Sequence, residues 1–120
     1  MGILYESIVK SIPPSMVMER HPVPYERFVT ERIIGIESDR DSIDQVITRY
    51  AVDWRLERLN PVDRSILYLG VWEILRRPDV PHNVAIAEAV RLADEFSTED
   101  SARFVNGILA AVAEDSRRDA

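Results

Sequence analysis

Residues 60–77 read NPVDRSILYLGVWEILRR and carry the signals of a complete helix. Asn60 is a residue type that caps helix starts, because its side-chain oxygen accepts a hydrogen bond from a free N–H of the first turn. Pro61 suits the first helical position, where an N–H is not required. Over residues 66–75 the only charged side chain is Glu73, so nearly every side of the helix is apolar. The pattern predicts a buried central helix with other helices packed around it.

The two ends of this helix are also marked in the sequence. Asp63 falls at the third helical position, where a carboxylate reaches back to the helix start and favours the positive end of the helix dipole. Arg76 and Arg77 occupy the last turn, and Pro78 follows them. We therefore expect the helix to end just before Pro78.

Composition limits the class of protein. The chain has 120 residues and 46% hydrophobic content, which suffices for one domain with a core. It has no cysteine, so disulfides and thiolate metal sites are excluded. No bilayer-spanning run or signal-peptide pattern is present, and a cytoplasmic protein is expected. With four glycines and few turn signals between β-branched runs, the sequence argues against a β-rich fold.

The charge balance is acidic, with 21 acidic residues, 15 basic residues and a net charge of −6. A protein that binds nucleic acid alone usually presents a strongly basic surface. The sequence does not predict such a surface.

The first half of the chain predicts three helices. Residues 2–12 place apolar side chains at helical spacing. Residues 13–24 contain repeated prolines and are predicted to form a loop, because the residue before a proline disfavours the helical conformation. A second helix is predicted over 25–36, and a third over 43–54 after a polar break at 38–41.

The second half predicts a short connector at 55–59, the central helix, a proline elbow at 78–81 and a helix over 84–96. The total is six or seven helices in one all-α domain spanning residues 1–120. We divide it into an N-terminal bundle, residues 1–59, and a C-terminal bundle, residues 60–120. Trp54 and Trp72 are the expected core anchors of the two bundles.

The last helix is predicted to begin at Ser97, because Ser97 and Asp100 form a capping-box pattern before an apolar run. Gly107 lies within this helix and predicts a close approach of another backbone. Residues 115–120 are polar and are expected to fray.

A succession of short sequence words in residues 60–109 resembles the NusB family of bacterial transcription antitermination factors. The words occur in the family's order and spacing, and residues 4–6 resemble the end of the family's first helix. They are PVDRSIL at 61–67, VWEIL at 71–75, DVP at 79–81, VAIAEAV at 84–90 and STEDSARFVNGIL at 97–109.

The resemblance implies an all-α fold of two three-helix bundles packed crosswise. It also implies a partner, the ribosomal small-subunit protein NusE, and an RNA ligand, the boxA element of ribosomal RNA operons. Together they would act on the transcription elongation complex. No catalysis and no cofactor are implied.

The beginning of the chain departs from the family pattern. Members carry an Arg-rich segment ahead of the word at residues 4–6, and that segment contacts RNA phosphates, whereas this sequence starts at Met1-Gly2-Ile3. A shortened first helix is expected to weaken RNA binding and flatten its salt dependence. It would also uncover an apolar groove and favour a homodimer.

For RNA, the resemblance implies a role for Asp100, Arg103 and Phe104. Each has a simpler structural interpretation as well. Asp100 could serve as a cap of the last helix and nothing more. Arg103 could be a solvated surface residue, and Phe104 falls at a core position of the helical repeat. An aromatic face that is partly exposed would suit stacking on an unpaired base.

The resemblance implies that Asp63 contacts the protein partner, and we add Tyr5 and Arg64 as candidate contacts of that partner. Asp63 could act as a helix-start carboxylate, Tyr5 could pack, and Arg64 could be an ordinary surface cation.

Two other classes of function compete with an RNA-binding adaptor. One is a homo-oligomeric interaction module of the same fold with weak or no RNA binding, favoured by the net charge.

The other class is an enzyme, and the sequence offers it little. No nucleophile-elbow or glycine-rich phosphate loop is present. The two histidines, His21 and His82, lie far apart on proline-rich segments, so a metal site is not expected.

Overall fold

The computed structural model describes residues 1–51 and 59–117 in full, together with the backbone of Arg118. Within these residues the chain is helical, with no strand. The helices are α1 (Gly2–Lys10), α2 (Pro14–Glu19), α3 (Arg27–Ser38), α4 (Arg40–Tyr50), α5 (Pro61–Arg76), α6 (His82–Phe96) and α7 (Glu99–Arg118). The predicted all-α class is confirmed.

Helix α5 lies at the centre and contacts α1, α3, α4, α6 and α7. Its buried side chains point in every direction around the helix axis, as the apolar run predicts. They are Asp63, Ser65, Ile66, Leu67, Tyr68, Val71, Trp72 and Ile74. The prediction of a buried central helix is therefore confirmed, although Leu75 near its end is 38% exposed.

Both ends of α5 follow the sequence signals. The Asn60 side chain accepts a hydrogen bond from the backbone N–H of Val62 at 2.8 Å, and Pro61 is the first helical residue. The helix ends at Arg76, and Arg77 forms its C-cap immediately before Pro78. These local signals fix where α5 begins and ends along the chain.

Two glycines allow α5 to approach its neighbours closely. A Cβ at Gly35 of α3 would lie 2.5 Å from the Trp72 ring, and a Cβ at Gly70 would lie 2.6 Å from Leu109 of α7. Gly107 was predicted to mark such an approach, and that prediction is wrong, because nothing lies within 4 Å of a Cβ built there. Its position faces solvent.

The N-terminal half differs from its prediction in one element. The stretch predicted as a loop at 13–24 contains the short helix α2, which begins at Pro14. Proline disfavours a helix at the preceding residue but suits the first helical position, so Pro13 and Pro14 start a helix here. The polar break predicted at 38–41 is narrower than expected, because Asp39 alone separates α3 from α4 and the third predicted helix begins at Arg40. Trp54 and residues 55–58 lie outside the described residues.

The C-terminal half differs at helix ends. Helix α6 begins at His82 rather than at residue 84, because Pro81 serves as its N-cap. The capping box predicted for Ser97 and Asp100 is wrong by one residue. Thr98 is the cap, and its hydroxyl accepts the backbone N–H of Ser101 at 3.0 Å. Instead of fraying from residue 115, the tail stays helical to Arg118.

Helices α5, α6 and α7 pack pairwise against one another, while α1, α3 and α4 reach α5 from the other half of the chain. Tyr50 at the end of α4 donates a side-chain hydrogen bond to Asp115 of α7, which raises the pKa of the tyrosine. The halves are thus joined through α5 and through this pair. The division at residues 59 and 60 stays a prediction. No described helix combines the length and apolar character that crossing a bilayer requires.

We expect Gly35→Ala to destabilise the protein and Gly107→Ala to stabilise it. The first change forces a methyl group against the buried Trp72 ring, which costs about 1–3 kcal/mol. The second gains helix propensity in open space, about 0.5–1 kcal/mol. Denaturant unfolding of both variants checks the pair, and equal shifts in the same direction would contradict the close approach.

Candidate functional site

The first candidate site is the groove between the starts of α5 and α7, which we call the α5–α7 groove. Its volume is about 360 Å³, and Asp63, Asp100 and Phe104 line it. The capping residues Asn60 and Thr98 also line it, so two helix N-termini meet there. Their free N–H groups carry partial positive charge, which favours acidic side chains and anionic ligands at this position.

Asp63 occupies the floor of the α5–α7 groove and is 8% exposed. The carboxylate was expected to reach back to its own helix start, and this expectation is wrong. Its Oδ2 instead accepts a hydrogen bond from the hydroxyl of Ser101 on α7 at 2.8 Å. Its Oδ1 is buried and has no hydrogen-bond partner among the described residues. The carboxylate thus fixes α7 against α5 and keeps one accepting oxygen unused.

The Ser101 hydroxyl is the centre of a small polar cluster. It accepts hydrogen bonds from the hydroxyls of Ser97 and Thr98, each at 2.9 Å, and donates to Asp63. Because the cluster joins the end of α6, the cap of α7 and the start of α5, it holds the groove in one geometry.

Asp100 and Arg103 lie on the exposed side of the first turns of α7. Their side chains are 92% and 72% exposed and form an ion pair at 3.0 Å. Asp100 lines the α5–α7 groove, whereas Arg103 lies on the adjacent surface facing α6. Such an exposed pair adds little to stability, so both groups are available to a ligand.

Phe104 is packed against the core and also partly exposed, and its contact with RNA stays a prediction. It is half-buried, packs against the core and still lines the α5–α7 groove. Part of the ring is therefore fixed by packing while the rest faces the groove.

Tyr5 and Arg64, the other predicted contacts, lie elsewhere. Tyr5 is 43% exposed on α1 and does not line the α5–α7 groove. Arg64 follows Asp63 directly, but successive helical residues point about 100° apart, and Arg64 lines a different groove beside α1 and α4. The structure thus brings three of the six predicted residues together, with Arg103 beside them.

The groove that Arg64 lines, which we call the two-arginine groove, has a volume of about 510 Å³ and also contains Arg40. Sequence reasoning missed Arg40, treating it as part of a polar break. One signal was present. Tyr68 sits in the otherwise apolar α5, and a buried hydroxyl needs hydrogen-bond partners. Tyr68 is 1% exposed and binds Asp44 and Arg64.

A third, mainly apolar groove of about 460 Å³ lies between α1, α3, α5 and α6. Phe28 and Val84 line it and are 59% and 52% exposed. Arg32 lies in its wall, with the guanidinium 3.5 Å from the Phe28 ring centroid and 3.8 Å from the carboxylate of Glu73. Burial raises the pKa of Glu73, although Arg32 opposes this effect.

Across the described residues, no group of three histidine, cysteine, aspartate or glutamate side chains is arranged to hold a metal ion. The three grooves therefore offer hydrogen bonding, aromatic stacking, ionic contacts and apolar burial.

We expect Ser101→Ala to lower the free energy of unfolding by about 1–3 kcal/mol, because it leaves the buried Asp63 carboxylate without a donor. Ser116→Ala, at a half-buried position of the same helix, should change it by less than about 0.5 kcal/mol. Denaturant unfolding at neutral pH measures both. Equal effects would contradict the role given to the Asp63 contact.

Glu73 and Glu88 line the same apolar groove. Their pKa values are shifted in opposite directions, so we expect opposite effects of pH on the free energy of unfolding. The folded pKa of Glu73 is raised, so between 4.5 and that value the folded state binds more protons and the unfolding free energy falls as pH rises. Arg91 lowers the pKa of Glu88, so Glu88 contributes stability above 4.5 that is lost as pH falls.

We therefore expect Glu73→Gln to flatten the decline of stability with rising pH, and Glu88→Gln to remove a rise. Unfolding free energies measured from about pH 2 to about pH 7 check both signs, with the Glu73 effect above 4.5 and the Glu88 effect below it. A wild-type pH profile retained by Glu73→Gln would contradict the assignment.

Comparison with known proteins agrees with this geometry. The sequence model of the NusB family matches residues 10–114. The protein named transcription antitermination protein NusB from Clavibacter michiganensis subsp. michiganensis is 41% identical, over 94% of this chain and 89% of the relative. The protein of that name from Thermobifida fusca is 42% identical, over 93% and 82%.

Solved structures are similar over nearly the whole chain. The NusB structure of T. maritima has a TM-score of 0.84 and 33% identity, covering 95% of this chain and 84% of that one. A structure of the antitermination factors NusB and NusE in complex with dsRNA has a TM-score of 0.79 at 22% identity, covering 94% and 89%, and shows likeness of fold. The family comprises transcription antitermination factors and not enzymes, and the predicted fold is confirmed. The chain belongs to the NusB family.

Proposed function

We propose that this protein is an RNA-binding adaptor in transcription antitermination. It binds boxA-type RNA together with the ribosomal protein NusE and acts on the elongation complex of ribosomal RNA operons, in the cytoplasm. The observation that carries the proposal is the α5–α7 groove, where Asp63, Asp100 and Phe104 meet at two helix N-termini in a chain of the NusB family.

The RNA face is formed by the first turns of α7. The exposed part of Phe104 stacks on an unpaired base, a contact that any base can make. Arg103 is 72% exposed and contacts a backbone phosphate, and Asp100 holds it in position through the 3.0 Å ion pair.

The protein partner contacts Asp63 in the α5–α7 groove and Tyr5 on α1, whereas Arg64, the third predicted partner contact, lines the separate two-arginine groove. The unused Oδ1 of Asp63 accepts a hydrogen bond from the partner at the groove floor, which offsets the cost of leaving a buried oxygen unpaired. Tyr5 offers an aromatic surface on α1. We infer NusE as the protein partner because a solved structure with this fold contains NusB, NusE and RNA together.

A partner also fits the charge of the molecule. With a net charge of −6, the protein repels RNA at long range, so the few contacts of α7 give a weak complex by themselves. A second protein that contributes cations next to the α5–α7 groove would make the joint surface attractive to RNA.

A second candidate function is a homo-oligomeric interaction module with weak or no RNA binding. The apolar groove favours it, because the exposed Phe28 and Val84 would be buried by a second copy. A solution mass above that of the monomer, together with no RNA binding in the presence of NusE, would support this alternative over the adaptor.

We expect Phe104→Leu to weaken boxA RNA binding about tenfold, because leucine keeps the apolar packing and removes the stacking surface. Phe96→Leu is the matched control, since Phe96 is 50% exposed at the end of α6 and should leave affinity unchanged. Fluorescence anisotropy of a labelled boxA RNA, with and without NusE, measures both.

Tighter RNA binding in the presence of NusE is the expected behaviour of the wild type. A folded wild type that binds boxA RNA in neither condition would contradict the adaptor function. Equal losses in the two phenylalanine variants would remove Phe104 from the RNA face without removing the function.

A further inference from the structure

The two-arginine groove lies between the end of α1, the start of α2, α4 and α5, apart from the α5–α7 groove. We propose that it binds a phosphate group, held by Arg40 and Arg64. Two sources can supply this group, an RNA backbone or a free phosphate compound, and the experiments below distinguish them. The RNA source rests on the proposed function, whereas the phosphate site itself does not.

A chain of polar contacts orients both arginines from behind. Arg64 Nε donates to the Tyr68 hydroxyl at 2.8 Å, and that hydroxyl donates to Asp44 Oδ1 at 2.6 Å. Asp44 Oδ2 lies 3.8 Å from Arg40 Nε. The two guanidinium carbons lie 5.5 Å and 5.0 Å from the centroid of the same Tyr68 ring. A single buried tyrosine therefore positions both cations.

This arrangement leaves the outer ends of the guanidinium groups for a ligand. Both arginines are held through Nε, and their terminal nitrogens make no hydrogen bond within the described part of the chain. Burial and the bond to Asp44 raise the pKa of Tyr68, so its hydroxyl remains a neutral donor to Asp44. The orientation is thus maintained before a ligand arrives, which lowers the entropy cost of binding.

The charges around the groove favour an anion. Two guanidinium groups line it against one carboxylate, that of Glu37, which accepts a hydrogen bond from Ser15 at 2.9 Å. Asp44 does not line the groove and is engaged with Tyr68 and Arg40. In a chain with a net charge of −6, the groove lining itself carries two cations and one anion, and Asp44 behind it offsets part of this positive charge.

Phosphate fits better than a carboxylate. The two oxygens of a carboxylate lie in one plane, a geometry that suits one arginine fork better than two forks from different helices. A phosphate group offers further oxygens in a tetrahedral arrangement, and two arginines from different helices can share it. Ser11, where the chain turns with φ of 54° after α1, also lines the groove and adds a hydroxyl.

The first test uses inorganic phosphate and the intact wild-type protein. We expect saturable shifts of the Nε–H NMR signals of Arg40 and Arg64, and none for Arg27, whose side chain is 91% exposed. Arg40→Gln should abolish the shift at Arg64, and Arg40→Lys should restore it only in part, because lysine keeps the charge without the fork. Shifts of equal size at Arg27, or none at Arg40 and Arg64, would overturn the proposal.

The second test separates the phosphate sources. If RNA supplies the phosphate, Arg40→Gln should weaken RNA binding about tenfold and reduce the slope of log affinity against log salt by about 0.7, while Arg27→Gln, with the same charge change, should do neither. Unchanged RNA binding by Arg40→Gln, with the phosphate shifts present, assigns the site to a free phosphate compound and supports the proposal.

Two further outcomes keep this inference separate from the proposed function. Phosphate shifts in a protein that binds no RNA, with or without NusE, would support the site and contradict the adaptor. Displacement of phosphate by an acidic peptide at lower concentration than by phosphate compounds would overturn the site in favour of a protein ligand.

Discussion

Because α5 is buried on nearly all sides, a polar group of that helix is costly unless it finds a partner inside the protein, and among the described residues only Asp63 Oδ1 and Trp72 Nε1 are buried without one. An unpaired buried group would cost about 1–3 kcal/mol, a large part of the stability of a small domain. Tyr68 meets this demand through Asp44 and Arg64, Asp63 through Ser101, and Glu73 through Arg32. Each partner comes from a different neighbouring element or from an adjacent turn, so these contacts also fix how α5 sits among the other helices.

The same polar groups mark the three grooves. Asp63 lies in the α5–α7 groove, Arg64 in the two-arginine groove and Glu73 in the apolar groove. In the proposed binding sites, a substitution at the floor of a groove would therefore disturb both stability and binding. At the rim, a substitution can change binding without changing stability, because Arg103 is exposed and Phe104 is only half-buried. Variants at the rim are the ones that report on ligands with little change in folding.

Local sequence signals predicted α5 well, because apolar pattern, cap, proline and end residues all agreed. They were less reliable where one signal allowed two structures. Consecutive prolines at 13 and 14 fit a loop or a helix start, and Ser97 and Thr98 both fit a cap. The cap fell on Thr98 because Ser97 is already the C-cap of α6.

Contacts between distant residues lay beyond pattern reasoning. Asp63 binds Ser101, which is 38 residues away, and Arg40 shares Tyr68 with Arg64. Nothing in the sequence around Gly35 indicates that the Trp72 ring packs against it. The resemblance to a family indicated three residues of the α5–α7 groove, whereas the two-arginine groove could be recognised only from the three-dimensional structure.

The bond between Tyr50 and Asp115 spans 65 positions of the sequence. A protease that cuts α7 ahead of Asp115 would remove a contact from α4, although α4 belongs to the opposite half of the chain. Damage at the carboxyl terminus would then emerge as faster amide exchange near Tyr50. Shortening this end for crystallisation would remove the same contact with α4.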